Sequence, residues 1–458
     1  MPMPATARTV LLCFVLLLSI SIRPATAQLD QTFNDVFNYF LRDRLDRDDQ
    51  VFHGQHYFPA ADNAEQLLTP ALNGLIASNI SSFPLSSTIA GMSIDFMNGA
   101  AVVTNESLGP IFAETAESIG QGKINIGLSY SYMNLDRFRG LPIDQMRFTF
   151  AHQDVTPTPP FEEEQTLPGS LGAPAYELDN IDVFPNMDIS SSIFAFTLSA
   201  GVLRNLDISL AIPIVNISMS GRATAVINSF TYGRLIPTRP EIQGAAHAFG
   251  GNQLNPILTA DTTYNVSTNG VGDLAIRLKY VLPGANALKV ALLGDIRLPT
   301  GDEHNFLGTG KQNIRFLFIS SRRFNDFNPH INLGYDKRGG ALDSDEVEYA
   351  IGFDHKVSNT LTFAADLLGS FDLQEDEAIV LFPGSIGIRE QFEAGSLTRF
   401  FDLSNIPESR RDNTTDLAVG FRFAPSDKVV LMVNILTPLN KNGLRSDVIP
   451  TAGLSVSI

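Results

Sequence analysis

The chain has 458 residues, with 49 acidic against 32 basic side chains and a formal net charge of −17. That balance argues against nucleic acid as a partner, because a polyanion is repelled by it. A single cysteine, Cys13, excludes a disulfide framework as the source of stability.

In chain order, residues 1–27 read as an export signal. Arg8 supplies the positive start, Val10 to Ile22 the apolar run, and Ala25-Thr26-Ala27 the small-residue cleavage site. The run is too short to span a membrane as a helix, and no later stretch is long and apolar enough to do so. Residues 28–86 have helical character. Leu29, Phe33, Val36, Phe37, Phe40 and Leu41 recur at helical spacing. A second helical stretch covers Asn63 to Ile76, with Asn63 as a candidate N-cap and Pro70 as a disturbance. Such a segment packs on the periplasmic rim of a barrel or lies in its lumen as a plug. In the second case Phe33, Phe37 and Phe40 give the plug its apolar face.

Residues 87–458 read as strands. Fourteen are expected, at 87–96, 122–133, 144–152, 189–201, 205–219, 271–282, 287–298, 311–322, 328–337, 346–356, 360–372, 413–424, 427–437 and 449–458. Their alternation has period two. Leu274, Ile276, Leu278 and Tyr280 take one face, and Asp273, Arg277 and Lys279 the other. Leu206, Ile208, Leu210 and Ile212 oppose Asp207 and Ser209, and Leu417, Val419, Phe421 and Phe423 oppose Asp416 and Arg422. An oily face turned to lipid gives a membrane-spanning barrel; the same face turned inward gives a soluble sheet.

The connections favour lipid. Long ones (153–188, 220–270, 299–310, 373–412, 438–448) alternate with short ones (Val202-Leu203-Arg204, Pro283–Asn286, Val357-Ser358-Asn359, Ala424-Pro425-Ser426). With both ends of the strand region in the periplasm, every short turn falls inside and every long loop outside, as in outer-membrane barrels. The expected fold is therefore all-β: a closed antiparallel up-and-down transmembrane β-barrel of about 14 strands, with a helical N-terminal segment. Trp is absent, so the 32 Phe and 10 Tyr would supply the interfacial girdles.

Two stretches carry a resemblance. One is Phe112-Ala113-Glu114-Thr115-Ala116-Glu117-Ser118-Ile119-Gly120-Gln121-Gly122-Lys123, running into the strand Ile124–Tyr132. The other is Gly272-Asp273-Leu274 followed by Gly294-Asp295-Ile296-Arg297-Leu298-Pro299-Thr300-Gly301-Asp302. Both resemble the "meta-pathway of phenol degradation" family of exported barrels, which is similar in architecture to outer-membrane transporters of fatty acids and aromatic hydrocarbons. The resemblance implies passage of hydrophobic or aromatic compounds. It also implies outer-membrane lipid, lipopolysaccharide and the barrel-assembly machinery as partners. The final strand ends in Ile458, where an aromatic residue is usual in such barrels.

If the oily faces meet lipid, the lumen is lined by Lys123, Asp207, Asp273, Arg277, Lys279, Lys289, Asp295, Arg297, Arg315, Asp336, Glu346, Glu348, Asp354, Asp366, Asp416 and Arg422. Asp273, Arg277, Asp295, Arg297 and Arg315 lie on three adjacent strands and can form a cross-strand charge ladder. Such charges either brace the wall or set the selectivity of a passage. The loop Gly301-Asp302-Glu303-His304-Asn305 collects oxygen donors of the kind that hold a divalent cation or simply face solvent. There is no Gly-x-Ser-x-Gly elbow and no nucleophile–histidine–acid grouping, so no catalytic residue, cofactor or metal is assigned. The expectation is a non-enzymatic outer-membrane channel for passive uptake of small hydrophobic or aromatic molecules. The alternatives are a general water-filled porin, a structural barrel or an outer-membrane enzyme.

Overall fold

In a bilayer every backbone N–H and C=O needs a protein partner, and a sheet meets that demand only by closing on itself. Here twelve strands do so: β1 (Ile124–Leu135), β2 (Met187–Leu203), β3 (Leu206–Asn228), β4 (Leu274–Val281), β5 (Leu288–Leu298), β6 (Asn313–Arg322), β7 (Phe327–Lys337), β8 (Glu346–Lys356), β9 (Leu361–Asp372), β10 (Thr414–Ser426), β11 (Val429–Pro438) and β12 (Ile449–Ser457). Each pairs antiparallel with the next, and β12 closes on β1 with Thr451 opposite Ser131 and Val456 opposite Ile126. The computed structural model describes residues 28–47, 54–81, 83, 93–97, 100–104, 108–152, 178–233, 244–284, 288–339, 344–375, 385–392, 395–409 and 411–458, with the backbone alone for 93–97, 100–104, 385–392 and 395–398. The expected export signal, 1–27, lies outside them.

The count corrects the expected fourteen. The expected strand 87–96 is described only from residue 93, and Ser93–Met97 pairs with Ala100–Thr104 and with no wall strand. The expected strand 144–152 begins as a 3-10 turn, Ile143–Gln145. It then forms a short strand, Phe148–Ala151, on the edge of Asn180–Phe184. Alternation marks a strand but does not say what it pairs with, and neither of these adds a strand to the closed ring of twelve.

The lower wall follows the lipid rule. Ile208, Ile276, Leu278, Leu292, Phe316, Phe318, Phe421 and Val433 face outward, while Asp207, Arg277, Lys279, Asp295, Asp366 and Arg422 are buried inside. Among the described residues no helix is long and apolar enough to cross a membrane.

Above that belt the wall continues, and its polarity reverses. Strand β3 is 23 residues long. Up to Ile214 its outward side chains are apolar; beyond, they are Asn216, Ser218, Ser220, Arg222 and Thr224. Its inward side chains change from Asp207 and Ser209 to Val215, Ile217, Met219, Ala223, Ala225 and Ile227, all buried. The neighbour Thr259–Val271 pairs with β3 from Thr259/Val226 to Val271/Ile214 and presents Thr259, Asp261, Thr263, Asn265, Ser267 and Asn269 outward. Asn180–Phe184 extends β2 in the same way. The stretches expected as the loops 153–188 and 220–270 thus contain strand in part. Period two holds throughout; only the solvent outside changes.

Between Thr259–Val271 and β4 the pairing with β3 breaks at Gly272 and Asp273. Pro213 on β3 has no N–H to give at this level, although its carbonyl accepts from Gly272 N (2.8 Å). Asp273 turns inward and accepts the N–H groups of Gly301 (3.0 Å) and Thr309 (3.1 Å), fastening the loop 299–312 over the break.

The reversal makes a prediction. Ile276→Arg, in the middle of the lipid belt, destabilises the barrel by about 2–4 kcal/mol. Ser267→Arg, outward on the upper wall, changes stability by less than about 0.5 kcal/mol. Urea unfolding in lipid vesicles measures both.

Candidate functional site: an occupied lumen

The mouth holds a helical lobe. Its elements are α1 (Thr32–Asn38), α2 (Phe58–Asn63) and α3 (Thr69–Ser81), joined by tighter or wider turns at Leu29–Gln31, Tyr39–Asp43, Gly54–Tyr57 and Ala64–Leu68. The wide turn 64–68 runs straight into α3, and Pro70, which has no N–H to give, follows that wide turn by two residues. Phe33, Phe37 and Phe40 are fully buried. Phe37 meets the edges of Phe148 (5.9 Å) and Phe150 (5.5 Å), and Phe40 meets Phe249 (6.4 Å). These rings join one core with Ile189, Val215, Ile217 and Met219 of the upper wall. The reversed alternation gives the lobe its apolar socket. Polar ties flank it: Asn79 Nδ2 donates to Leu444 O (2.7 Å), Arg297 donates to Ser81 O, and His304 Nδ1 lies 2.6 Å from Asp30 Oδ2.

Below the lobe, residues 108–122 run down the lumen as an irregular strap. A chain without secondary structure must satisfy its backbone with wall side chains. Asp366 Oδ2 accepts three consecutive N–H groups, from Ile111 (3.0 Å), Phe112 (3.0 Å) and Ala113 (3.2 Å), and His330 Nε2 holds its other oxygen at 2.9 Å. Asn332 bonds both backbone groups of Glu114 (2.7 and 2.8 Å). Ser321 Oγ takes Ala116 N–H (3.1 Å), and Asp207 takes Ser118 Oγ (2.7 Å) and Ile119 N–H (3.1 Å). Arg422 donates to Leu108 O and Pro110 O. At the bottom Gly122 N–H reaches Gly201 O (2.8 Å); a Cβ on Gly201 would sit 1.9 Å from Gly120 O, so only glycine fits there.

The charge ladder forms with altered membership. Arg277 Nε and Arg315 Nη2 converge on Asp295 Oδ2 at 2.9 and 2.8 Å, and Arg315 Nη1 reaches Glu348 at 3.3 Å. Arg297 turns up to the lobe and Asp273 to the loop. Of the other predicted lumen residues, Lys279 pairs with Glu114 (3.2 Å), Lys289 with Glu117 (3.4 Å), and Arg338 binds both Asp336 and Glu346. Asp354 accepts from Asn328 (3.0 Å) and Asp416 pairs with Arg445. Lys123 is exposed at the turn before β1 and does not line the lumen. Glu114 and Glu117 were not among the predicted residues; they precede the first wall strand, where alternation says nothing.

In the loop 301–305 Asp302 is engaged within the loop, while Asn305 Oδ1 accepts from Leu29 N–H of the lobe (3.4 Å). Asp302 caps His304 N–H (3.1 Å) and binds Asn305 Nδ2 (2.8 Å). Among the described residues no group of three or more His, Cys, Asp or Glu is placed to hold a metal ion.

A cavity of about 310 Å³ remains between α3, the strap and the wall. Leu75, Phe83, Phe112, Met133, Leu317, Leu368 and Leu436 make its apolar side. Its polar side carries Arg277, Arg315, Arg338 and Arg445 against Glu114, Glu346, Glu348, Asp372, Asp412 and Asp416. Its volume is at the lower bound for small-molecule sites.

Comparisons with known proteins add the following. Residues 204–379 match the sequence model of the family described as "Putative MetA-pathway of phenol degradation". The match includes the 272–302 stretch noted above and leaves Phe112–Lys123 outside. No curated protein matches the chain. Among solved structures, the COG4313 outer membrane channel from Pseudomonas putida F1 shares 12% identity at a TM-score of 0.36, over 75% of this chain and 98% of that one. The toluene transporter TodX from P. putida shares 9% at 0.32, over 73% and 89%. The outer membrane protease OmpT from Escherichia coli shares 10% at 0.25, over 74% and 97%. Likenesses this loose span a channel, a transporter and a protease and carry no argument about function. A closed antiparallel wall with a lipid-facing belt is itself an outer-membrane architecture, and this chain is an outer-membrane β-barrel.

Two measurements test the lumen. Asp366→Asn removes a charge-assisted seat worth about 1.5–3 kcal/mol, so amide exchange at Ile111–Ala113 accelerates roughly tenfold or more while the wall strands stay protected. The hydrogen bond to Asp30 raises the pKa of His304 above the ordinary imidazole range. Its tie to the lobe is therefore complete below that range and is lost as pH rises through the raised value. Amide exchange at Asp30 increases over the same window, and His304→Gln abolishes that pH dependence.

Proposed function

We propose that the chain is a stoppered conduit for passive uptake of small hydrophobic or aromatic molecules. The observation that carries this is the cavity: it lies between the lobe, the strap and the wall, and one of its sides is apolar. A general porin has a water-filled lumen, whereas here the strap's backbone is bonded to the inner wall. The family match over 204–379 supports the same reading through its description. The barrel has no energy source, so passage runs downhill. Residues 28–86 act as the stopper, with Phe33, Phe37 and Phe40 as its seal, and 1–27 as the export leader. Lipopolysaccharide contact and delivery by the assembly machinery follow from the location. The role is non-enzymatic.

Deleting residues 28–83 from the mature chain tests the stopper. In planar bilayers the full chain gives little or no steady conductance, and the deletion variant gives steady openings at least several-fold larger. Equal conductance of the two removes the stopper from the account. Large steady conductance in the full chain favours a general porin.

A further inference from the structure

We propose that a histidine cluster on the seam between lobe and upper wall is an acid-released latch, which holds the lobe in the mouth at neutral pH and lets it go when protonated. This rests on the stopper reading above and adds its regulation. Both sides of the seam contribute. The lobe supplies His56 and Tyr57 from its tight turn Gly54–Tyr57, and the upper wall and the chain beside it supply His152, His247 and Asp179. His56 Nδ1 lies 2.8 Å from His152 Nε2. The His152 ring stands 4.7 Å from that of His56 and 4.8 Å from that of His247. His247 Nδ1 in turn lies 2.7 Å from Asp179 Oδ2. Tyr57 packs its ring T-shaped against His152 (5.7 Å) and His247 (5.1 Å). All but His56 are fully buried. The cluster adjoins the phenylalanine seal: His152 follows Phe150, which meets Phe37, and His247 precedes Phe249, which meets Phe40.

A single proton makes the bond between His56 and His152, because one ring nitrogen donates it and the other accepts. With both rings protonated each nitrogen carries its own hydrogen. The bond is then lost, and two cations face each other across the seam. Imidazole is the side chain that ordinarily changes charge between about pH 8 and about pH 5. The charged groups packed against the cluster are Asp46, Asp179, Asp182, Arg147 and Arg399. Asp46 joins the turn to the wall through its backbone, taking Gly54 N–H (3.2 Å) and donating to Ala248 O (2.9 Å). Asp182 takes Thr149 Oγ1 (2.6 Å) and stands 4.0 Å from Arg147, and Arg399 donates to Leu178 O and Asn228 O. Asp179 faces His247, on the wall side, and the bond that crosses the seam is between two imidazoles. Burial, with Asp179 nearby, holds the Tyr57 hydroxyl well above its ordinary range, so it stays neutral throughout. The His304–Asp30 tie has the opposite sign and is complete in acid, so acid frees the lobe at His56 while holding it at Asp30.

The test records the full mature chain in planar bilayers at about pH 7.5 and about pH 5. Steady conductance is about tenfold higher in acid, and the rise reverses on return to neutral pH. His56→Gln, which stays neutral and can still donate to His152, loses most of that rise. His56→Lys, charged throughout, already conducts at neutral pH. Should neither variant fold, the wild-type comparison still stands, joined by amide exchange corrected for its intrinsic pH dependence: Gly54–Tyr57 exchanges faster in acid while β5 stays protected. No acid rise in the full chain, or an equal rise in His56→Gln, overturns the latch. The variant lacking residues 28–83 separates the two levels. If it conducts steadily at neutral pH while the full chain stays closed at both pH values, only the latch is removed. If it conducts no more than the full chain at either pH, the stopper reading itself is removed.

Discussion

Lipid and water impose opposite rules on one continuous wall, and this protein obeys both along single strands. Where β3 meets hydrocarbon, Ile208 and Ile214 go out and Asp207 and Ser209 go in. A few residues higher, Ser218 and Arg222 go out and Ile217 and Ala225 go in. The backbone pairing does not change between the two zones. The reversal sets everything inside the barrel: a polar chamber below, an apolar socket above, and a helical lobe whose Phe33, Phe37 and Phe40 match the socket.

The polar chamber then has to be satisfied. Its charges number too many to be left in a low-dielectric enclosure without partners. Some pair across adjacent strands, as Arg277, Asp295 and Arg315 do. Others find the strap, whose backbone has no regular structure of its own and takes its hydrogen bonds from Asp366, Asn332, Ser321 and Asp207. Wall and strap thus complete one another. The space they leave is the cavity, which lies where the polar chamber meets the lobe and so has one face of each character.

Much of this was legible in the sequence. Period-two alternation gave the faces of β4, β5 and β6 correctly, since Ile276 and Phe316 are outward and Arg277 and Asp295 inward. The alternation of long and short connections marked the two ends. What escaped was relational. Residues 93–97 and 148–151 are strands, but period says nothing of partners, and the count came out two too high. The upper end of β3, from Ser220 on, was read as a loop because a polar outward face with small apolar residues between resembles a solvated connection. Phe112–Lys123 stood out as a motif, yet its place in the lumen depends on Asp366 and Asn332, which lie far along the chain. Lys123 alternates in phase with the strand that follows but precedes its first wall residue.

The most direct measurement is spin-label accessibility along the outward face of β3, with single cysteines introduced into the mature chain. At Ile208, Leu210, Ile212 and Ile214 the label is reached by oxygen from lipid and shielded from a water-soluble relaxant. At Asn216, Ser218 and Ser220 the order inverts. A profile in which all seven positions are reached by the water-soluble relaxant, or in which the first four are shielded from both probes, contradicts a lipid-facing wall with a reversed upper half.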